Sequence, residues 1–199
     1  MISFDVIVIG GGPAGLFAAI HMGRDKNVLL LEKNNRPGKK LLLSGSGRCN
    51  LTHAGDIELF RQHYSANYRF LRHAFKSFSN EDLIRFFNKR RLPTCIDKNG
   101  KVFPAGGNAG AVLDILLDEG QKQNLLIHTN EAVSKIEIKD IKNPGFHIVT
   151  PVGEYNCQRL VIATGGKSYP GSGSTGDGYG FAKSAGHTII APKPALAPV

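Results

Sequence analysis

The sequence predicts an α/β domain with a central parallel sheet, and three observations carry that prediction. Val6 to Ile9 is an unbroken apolar run of β-branched residues, as expected of a strand buried on both faces. It leads at once into Gly10-Gly11-Gly12-Pro13-Ala14-Gly15, a helical pattern and a second apolar run, Asn27 to Leu31, so a βαβ unit begins here. A later apolar segment, Leu160 to Ala163, again runs into a glycine turn, Thr164-Gly165-Gly166.

The elements follow in order. After the first glycine turn, Leu16, Ala19 and Ile20 recur at helical spacing as far as Gly23. Arg36 to Ala54 is rich in Gly, Ser and Lys around Leu41-Leu42-Leu43 and reads as an ordered binding loop. An added helical segment comes next, between Ala66 and Arg91: Phe70, Leu71, Ala74, Phe75 and Phe78 share one face, and Ser79 with Asp82 forms a capping box for a helix carrying Leu83, Ile84, Phe86 and Phe87. Ala111, Val112, Ile115 and Leu116 mark a third helix, for which Gly120 is the expected C-terminal cap. A β-meander is then expected from Leu125 to His128, Ser134 to Lys139 and Phe146 to Thr150, the last two joined by a turn at Asn143-Pro144-Gly145. Leu160 to Ala163 is a short buried strand, Gly176 to Ala185 a helix and His187 to Ala191 a strand. Residues 1–191 thus read as one domain, and the proline-rich residues 192–199 as a boundary before something else.

Composition narrows the function classes. With 41% hydrophobic and 21% charged residues among 199, the chain has globular composition. Its apolar runs fall well short of the roughly 18 to 20 residues that span a bilayer, so no membrane partner is expected. Asp5 precedes the first apolar run and no basic leader or cleavage site is recognisable, which points to the cytoplasm. Cys49, Cys95 and Cys157 are odd in number and widely spaced, against a disulfide framework or zinc site, and no metal is expected. A net charge of +9 raises nucleic acid as a partner. The basic residues are spread over Lys33 to Lys40, Arg61 to Arg91 and Lys135 to Lys142, with no nucleic-acid-binding motif beside them, and this argues for a small-molecule substrate instead.

The glycines carry the chemistry. Gly10, Gly12 and Gly15 form G-x-G-x-x-G between a strand and a helix, with Pro13 and Ala14 opening the helix. The first allows the tight turn, the second admits a pyrophosphate and the third lets helix and strand approach, while the helix N-terminus offers N–H groups to the phosphates. Glu32, at the end of the second strand, is placed to accept from ribose hydroxyls, and its charge repels a 2′-phosphate, favouring FAD or NAD over NADP. Lys33 adjoins it.

Two features favour FAD over NAD. The loop Lys40-Leu41-Leu42-Leu43-Ser44-Gly45-Ser46-Gly47-Arg48-Cys49-Asn50 presents backbone N–H groups, hydroxyls and a guanidinium suited to the diphosphate and far side of a long cofactor. Lys40, Ser44, Gly45, Gly47, Arg48, Cys49 and Asn50 are its candidate contacts, Cys49 by packing in the loop more than by redox chemistry. The second feature is Ala163-Thr164-Gly165-Gly166, all four being site candidates. In Thr129-Asn130-Glu131-Ala132-Val133, Glu131 is the obvious polar candidate for adenine, and the backbone of Ala132 and Val133 is the preferred one. Asp177, flanked by glycines before a helix, reads as an N-cap, a flavin-side contact, or both.

With Ser44 to Asn50, Tyr169-Pro170, Gly173 to Tyr179 and Val102-Phe103-Pro104, the Ala163 to Gly166 turn resembles the YhiN/BaiN-type flavoproteins, labelled aminoacetone-oxidase-like or NAD(P)/FAD-dependent oxidoreductases. The resemblance runs over essentially the whole chain. It implies an FAD/NAD(P)-binding Rossmann-like domain and the N-terminal portion of a longer oxidoreductase, with residues 1–191 an incomplete FAD-binding domain and residues 192–199 the start of a linker into an inserted domain. FAD would carry the redox chemistry, with NADH or NADPH as reductant and a small molecule or oxygen as partner. An NAD-dependent dehydrogenase, a tRNA-modifying-type flavoprotein using the basic surface, and a non-catalytic fragment remain as alternatives.

Overall fold

In the computed structural model, described for residues 2–64, 68–139 and 144–193, the elements run in chain order as β1 (Ile2–Ile9), α1 (Pro13–Met22), β2 (Val28–Leu31), β3 (Thr52–His53), α2 (Tyr68–Ser77), α3 (Asn80–Asn88), β4 (Thr94–Ile96), β5 (Lys101–Pro104), α4 (Ala109–Lys122), β6 (Leu126–His128), β7 (Lys135–Ile138), β8 (Phe146–Val149), β9 (Glu154–Ile162) and α5 (Asp177–Ser184). Short 3-10 turns occupy Leu41–Gly47, Ile57–His63 and Pro170–Ser172. The chain forms two units, Met1–Lys39 with Gly120–Val199, and Lys40–Glu119. Among the described residues no helix is long and apolar enough to cross a membrane.

The first unit holds a six-stranded sheet in the order β6-β2-β1-β9-β8-β7. The four strands β6, β2, β1 and β9 are mutually parallel, as the continuous apolar runs predict, with Ile9 level with Leu31 on one side and Ile162 on the other. β7 and β8 continue the same sheet antiparallel beyond β9, while β6, the first strand of the expected meander, pairs parallel with β2 at the opposite edge; only the last two strands of that meander pair as expected, and the sheet is mixed. Alternation sends Ile7, Ile9, Leu29 and Leu31 to one face, where they meet Ile136, Ile148, Tyr155 and Cys157 in a buried cluster with Phe181 of α5 against it. α1 packs on β1 and β2 and buries Leu16, Ala19 and Ile20.

Several expectations are corrected. The strand read as Leu160 to Ala163 is the end of nine-residue β9, and its last residues are half-buried to exposed. Its first half, Glu-Tyr-Asn-Cys, buries Tyr155 and Cys157 by alternation, a period the apolar run alone conceals. Gly120 lies inside α4 and does not cap it; the left-handed residue after the helix is Asn124, and a Cβ on Gly120 would press on Leu125 at 3.0 Å. No strand forms at 187–191. Asn143 of the expected turn, Ala66 and Lys142 lie outside the described residues, as do residues 194–199 of the expected linker.

The second unit is a three-stranded antiparallel sheet, β3-β5-β4, with Val102 and Phe103 of β5 buried. α3 packs on β3 and β4 and is started by the expected capping box, Ser79 and Asp82 each bonding the other's backbone N–H. Asn80 donates to the carbonyls of His53 and Gly55 at 2.9 Å each, tying the helix start to the β3 loop. Arg90 is paired with Glu119 and stacked 3.7 Å over Phe86. The common apolar face read in α2 is not buried: Phe70 is 87% exposed, Ala74 is exposed, and half-buried Leu71 and Phe75 make the inward side, Phe75 against Phe60, Tyr64 and Tyr68.

Burial separates the three thiols. Cys95 is exposed, while Cys49 and Cys157 are buried, and burial pushes the Cys157 thiol up to about 11. Because the thiolate is the reactive form, a disulfide dye at neutral pH is expected to titrate one thiol in the folded chain and the other two only after unfolding. Loss of the fast phase in Cys95→Ser checks the assignment.

Candidate functional site

The glycine turn sits at the carboxyl end of β1, with the ends of β2 and β9 on either side, the position at which open α/β sheets bind ligands. Gly10 donates to the Leu31 carbonyl at 2.8 Å and adopts φ 106°, and a Cβ there would fall 2.5 Å from the Ala163 oxygen. A Cβ on Gly15 would fall 1.9 Å from the Gly10 oxygen. Both positions therefore exclude any side chain. Gly12 differs: a Cβ there meets nothing within 4 Å. The space above Gly12 is open, at the N-cap of α1, where no side chain caps the helix and Pro13 has no N–H to satisfy. A pyrophosphate fits this cradle, and a side chain at Gly12 would fill it.

Glu32 is buried beside it. Its Oε2 accepts from the Gly11 N–H at 2.7 Å, and its Oε1 accepts from the Asn34 N–H at 2.8 Å and the Asn34 side chain at 2.6 Å. A carboxylate has about four lone-pair positions, so three are engaged and capacity remains for one ribose hydroxyl. The carboxylate thus shapes the turn. Gly11 and Asn34 were missed by the sequence reading. A Cβ on Gly11 would sit 2.9 Å from Glu32 Oε2, and Asn34 also reaches the Ser172 carbonyl at 3.3 Å. The only signal for either was adjacency to a motif residue.

Lys33 is engaged by this chain's own groups. Its ammonium donates to Thr175 Oγ1 at 2.6 Å and to Asp177 Oδ2 at 2.7 Å. Burial acts to raise the Asp177 carboxyl, but the Lys33 and Thr175 hydrogen bonds and the Lys33 charge outweigh it and hold that group below the ordinary carboxylate range. Asp177 is not the N-cap of α5. The cap is Gly176, at φ 86°, without a side-chain bond, and Asp177 is the first helical residue. The missing cap comes from elsewhere in the chain: Thr164 Oγ1 accepts from the Gly178 N–H at 3.0 Å, so the Ala163 to Gly166 turn anchors the helix start. Ala163 donates to the Ile9 carbonyl at 2.8 Å, Gly165 takes φ 77°, and Gly166 lies near the Tyr179 hydroxyl.

Glu131 is a structural carboxylate. It is buried, accepts from the hydroxyls of Thr150 and Tyr155 at 2.7 and 2.8 Å, and lies 3.0 Å from His128 Nδ1. Burial, and then the hydrogen bond to Glu131, push the Tyr155 hydroxyl up to about 12. The Glu131 backbone N–H donates to the Glu32 carbonyl at 3.0 Å. That bond brings the exposed Ala132 and half-buried Val133 next to the Glu32 end of β2.

The first unit therefore gathers Gly10, Gly12, Pro13, Ala14, Gly15, Glu32, Lys33, Ala163 to Gly166 and Asp177 around the ends of β1, β2 and β9. In the second unit the Lys40 to Asn50 loop is tightly wound. Gly45, Ser46, Gly47 and Cys49 all have φ between 56° and 83°. Ser44 Oγ donates to the Leu41 carbonyl at 2.7 Å, and Cys49 N–H to the Ser44 carbonyl at 3.0 Å. Cys49 is 2% exposed and packed, while exposed Arg48 carries its guanidinium 4.7 Å over the Phe103 ring. Lys40 is half-buried and Asn50 exposed.

The family model described as "HI0933-like protein Rossmann domain" matches residues 4–193. The chain is 34% identical over 193 residues to a 3-dehydro-bile acid delta(4,6)-reductase of Clostridium scindens, covering 95% of this chain and 46% of that protein. It is 33% identical over 199 residues to the ribosomal RNA dihydrouridine synthase of Escherichia coli, covering 98% of this chain and 48% of the relative. The chain spans about half the length of the curated relatives it matches. In fold it is similar to the open conformation of a flavocytochrome c3 fumarate reductase, at TM-score 0.60 and 20% identity over 92% of this chain and 40% of that one. The THI4 protein of Thermovibrio ammonificans gives TM-score 0.53 at 14% identity, over 82% of this chain and 58% of that one.

Proposed function

The chain belongs to the HI0933-like Rossmann-domain family, the YhiN/BaiN family its motifs resemble, and on that premise we propose that it is the FAD-holding portion of a flavin-dependent reductase. The observation that carries this reading is the open cradle over Gly12, set between Gly10 and Gly15 at positions that admit no side chain, with Glu32 buried beside it. Gly12 and the start of α1 would hold the pyrophosphate, Glu32 a ribose hydroxyl, and Ala132 and Val133 the adenine edge. When bound, FAD supplies hydride transfer. This chain's own residues bind and orient: the Lys33–Thr175–Asp177 triad fixes the start of α5 against the end of β2, and Thr164 fixes it against the end of β9.

Both relatives' names describe adding hydrogen across a double bond. A reductase of electron-poor carbon–carbon double bonds, with NADH or NADPH as electron source, working in the cytoplasm, is the reaction class we assign to the whole protein. The test of the flavin reading is an absorbance spectrum of the purified chain across the flavin bands, repeated after adding excess FAD and removing what is unbound. Flavin bands that stay with the chain support it. A colourless chain that refuses FAD but binds NADH overturns it in favour of a nicotinamide dehydrogenase domain.

A second reading concerns the substrate. The net charge of +9, together with an exposed helix that carries basic residues and no acid, favours a substrate presented on RNA over a free small molecule.

A further inference from the structure

Nothing in the flavin site accounts for α2. The helix buries no residue, yet its exposed side chains are ordered by the helical period. Tyr68, Leu71 and Phe75 form the half-buried side. Arg69, Arg72, His73 and Lys76 fall together on the adjoining exposed arc, and Phe70, 87% exposed, borders that arc next to His73. From Arg69 to Lys76 the cationic row extends about 10 Å along the axis at the α-helical rise. The helix contains no Asp or Glu, so nothing on it neutralises the row.

An exposed phenylalanine at the border of a cationic row has a chemical match. A large ring left in water costs free energy that a stacking partner recovers, and three permanent cations attract a chain of phosphates. Unpaired nucleotides offer both, a base for the ring and a backbone for the cations, whereas in a duplex the bases stay stacked on one another. We propose that the outer face of α2 is a docking strip for single-stranded RNA, with Phe70 stacking on a base and Arg69, Arg72 and Lys76 following the phosphates. The inference rests on the RNA reading of the substrate given above, and it adds the surface and the residues that do the binding.

The test uses the whole chain, supplied with FAD, and a fluorescein-labelled single-stranded RNA 12-mer of mixed sequence, with binding read by anisotropy across a salt series. The variants are Phe70→Ala, the triple R69S/R72S/K76S, and a control triple, R24S/K26S/K183S, which removes the same charge from exposed positions of the other unit. All seven side chains are exposed, so folding should survive, and circular dichroism melts verify it. Phe70→Ala should weaken RNA binding about 5- to 100-fold with the salt slope unchanged, as loss of one stacked base predicts. The α2 triple should flatten the slope of log K against log salt by about 2, at roughly 0.7 for each phosphate that is no longer neutralised. The control should do neither. RNA binding by the parent chain that all the variants retain, or that the control loses as much as the α2 triple, overturns the α2 assignment and leaves the RNA reading standing. No RNA binding by the parent chain overturns both, and so does binding through these residues to phosphatidylcholine–phosphatidylserine vesicles in place of RNA. Flavin absorbance recorded on the same samples keeps failure of the cofactor reading distinct from each of these results.

Discussion

Gly12→Val is expected to eliminate FAD binding while leaving the chain folded, and Gly15→Ala to destabilise the fold itself. The two glycines belong to one motif but face different surroundings. At Gly12 the backbone is extended, at φ −73° and ψ 177°, which valine tolerates, and an added Cβ meets no protein atom within 4 Å. The cost to folding is therefore no more than the preference of an N-cap for glycine over a β-branched residue, about 1 kcal/mol. The cost to binding is steric, because the branched side chain occupies the volume into which the pyrophosphate must come. At Gly15 a Cβ would lie 1.9 Å from the Gly10 oxygen, so α1 and the glycine turn must separate. Forcing that separation in a packed α/β layer costs about 3 kcal/mol or more. Thermal melts and FAD titration of both variants check the pair. A Gly12→Val chain that remains yellow would remove the pyrophosphate from this turn.

Glu32→Ala should damage both folding and binding. Three donors end on this buried carboxylate: the Gly11 N–H, the Asn34 N–H and the Asn34 side chain. Leaving buried donors unpaired costs about 1 to 3 kcal/mol each, so a destabilisation of about 3 kcal/mol or more is expected even without cofactor. FAD affinity should fall by a further 1 to 3 kcal/mol or so through the missing ribose hydrogen bond. Denaturant unfolding of the FAD-free chain separates the two effects. If the FAD-free variant unfolds with the parent, the carboxylate does not organise the turn; if it binds FAD as tightly as the parent, the ribose lies elsewhere. Glu32→Gln, which keeps one acceptor oxygen, should fall between the parent and Glu32→Ala in both measurements.

Much of this was legible because local signals agreed. The run Val6 to Ile9, the glycines and the second run ending in Glu32 each predict the same turn from different physics, and so β1, α1 and β2 form as read. The Ser79–Asp82 capping box is likewise contained within four residues and needs no tertiary help. The failures have two sources: close packing that residue type alone does not reveal, as at Gly120, and a deciding partner far along the chain, as at Asp177. Gly120 looks like a helix cap, but its close approach to Leu125 explains its glycine, and Asn124 takes the left-handed position. Asp177 looks like an N-cap, yet Lys33 draws its carboxylate away and the Thr164 hydroxyl bonds the helix N–H instead. Along the chain the basic residues are spread; around α2, positions 69, 72 and 76 come to one side.

By itself, then, the sequence determined the βαβ start, the cradle glycines and the acidic strand end, since an apolar run, a glycine cluster, a helical period, a second run and an acid in fixed order all agree on one local unit. The tertiary structure alone decided that Glu32 is held by Gly11 and Asn34, that Thr164 caps α5, that β7 and β8 extend the parallel sheet at one edge while β6 joins it at the other, and that Phe70 faces solvent beside a row of cations. Those outcomes depend on which distant segments meet, and burial and long-range hydrogen bonding choose among partners that local pattern leaves equivalent.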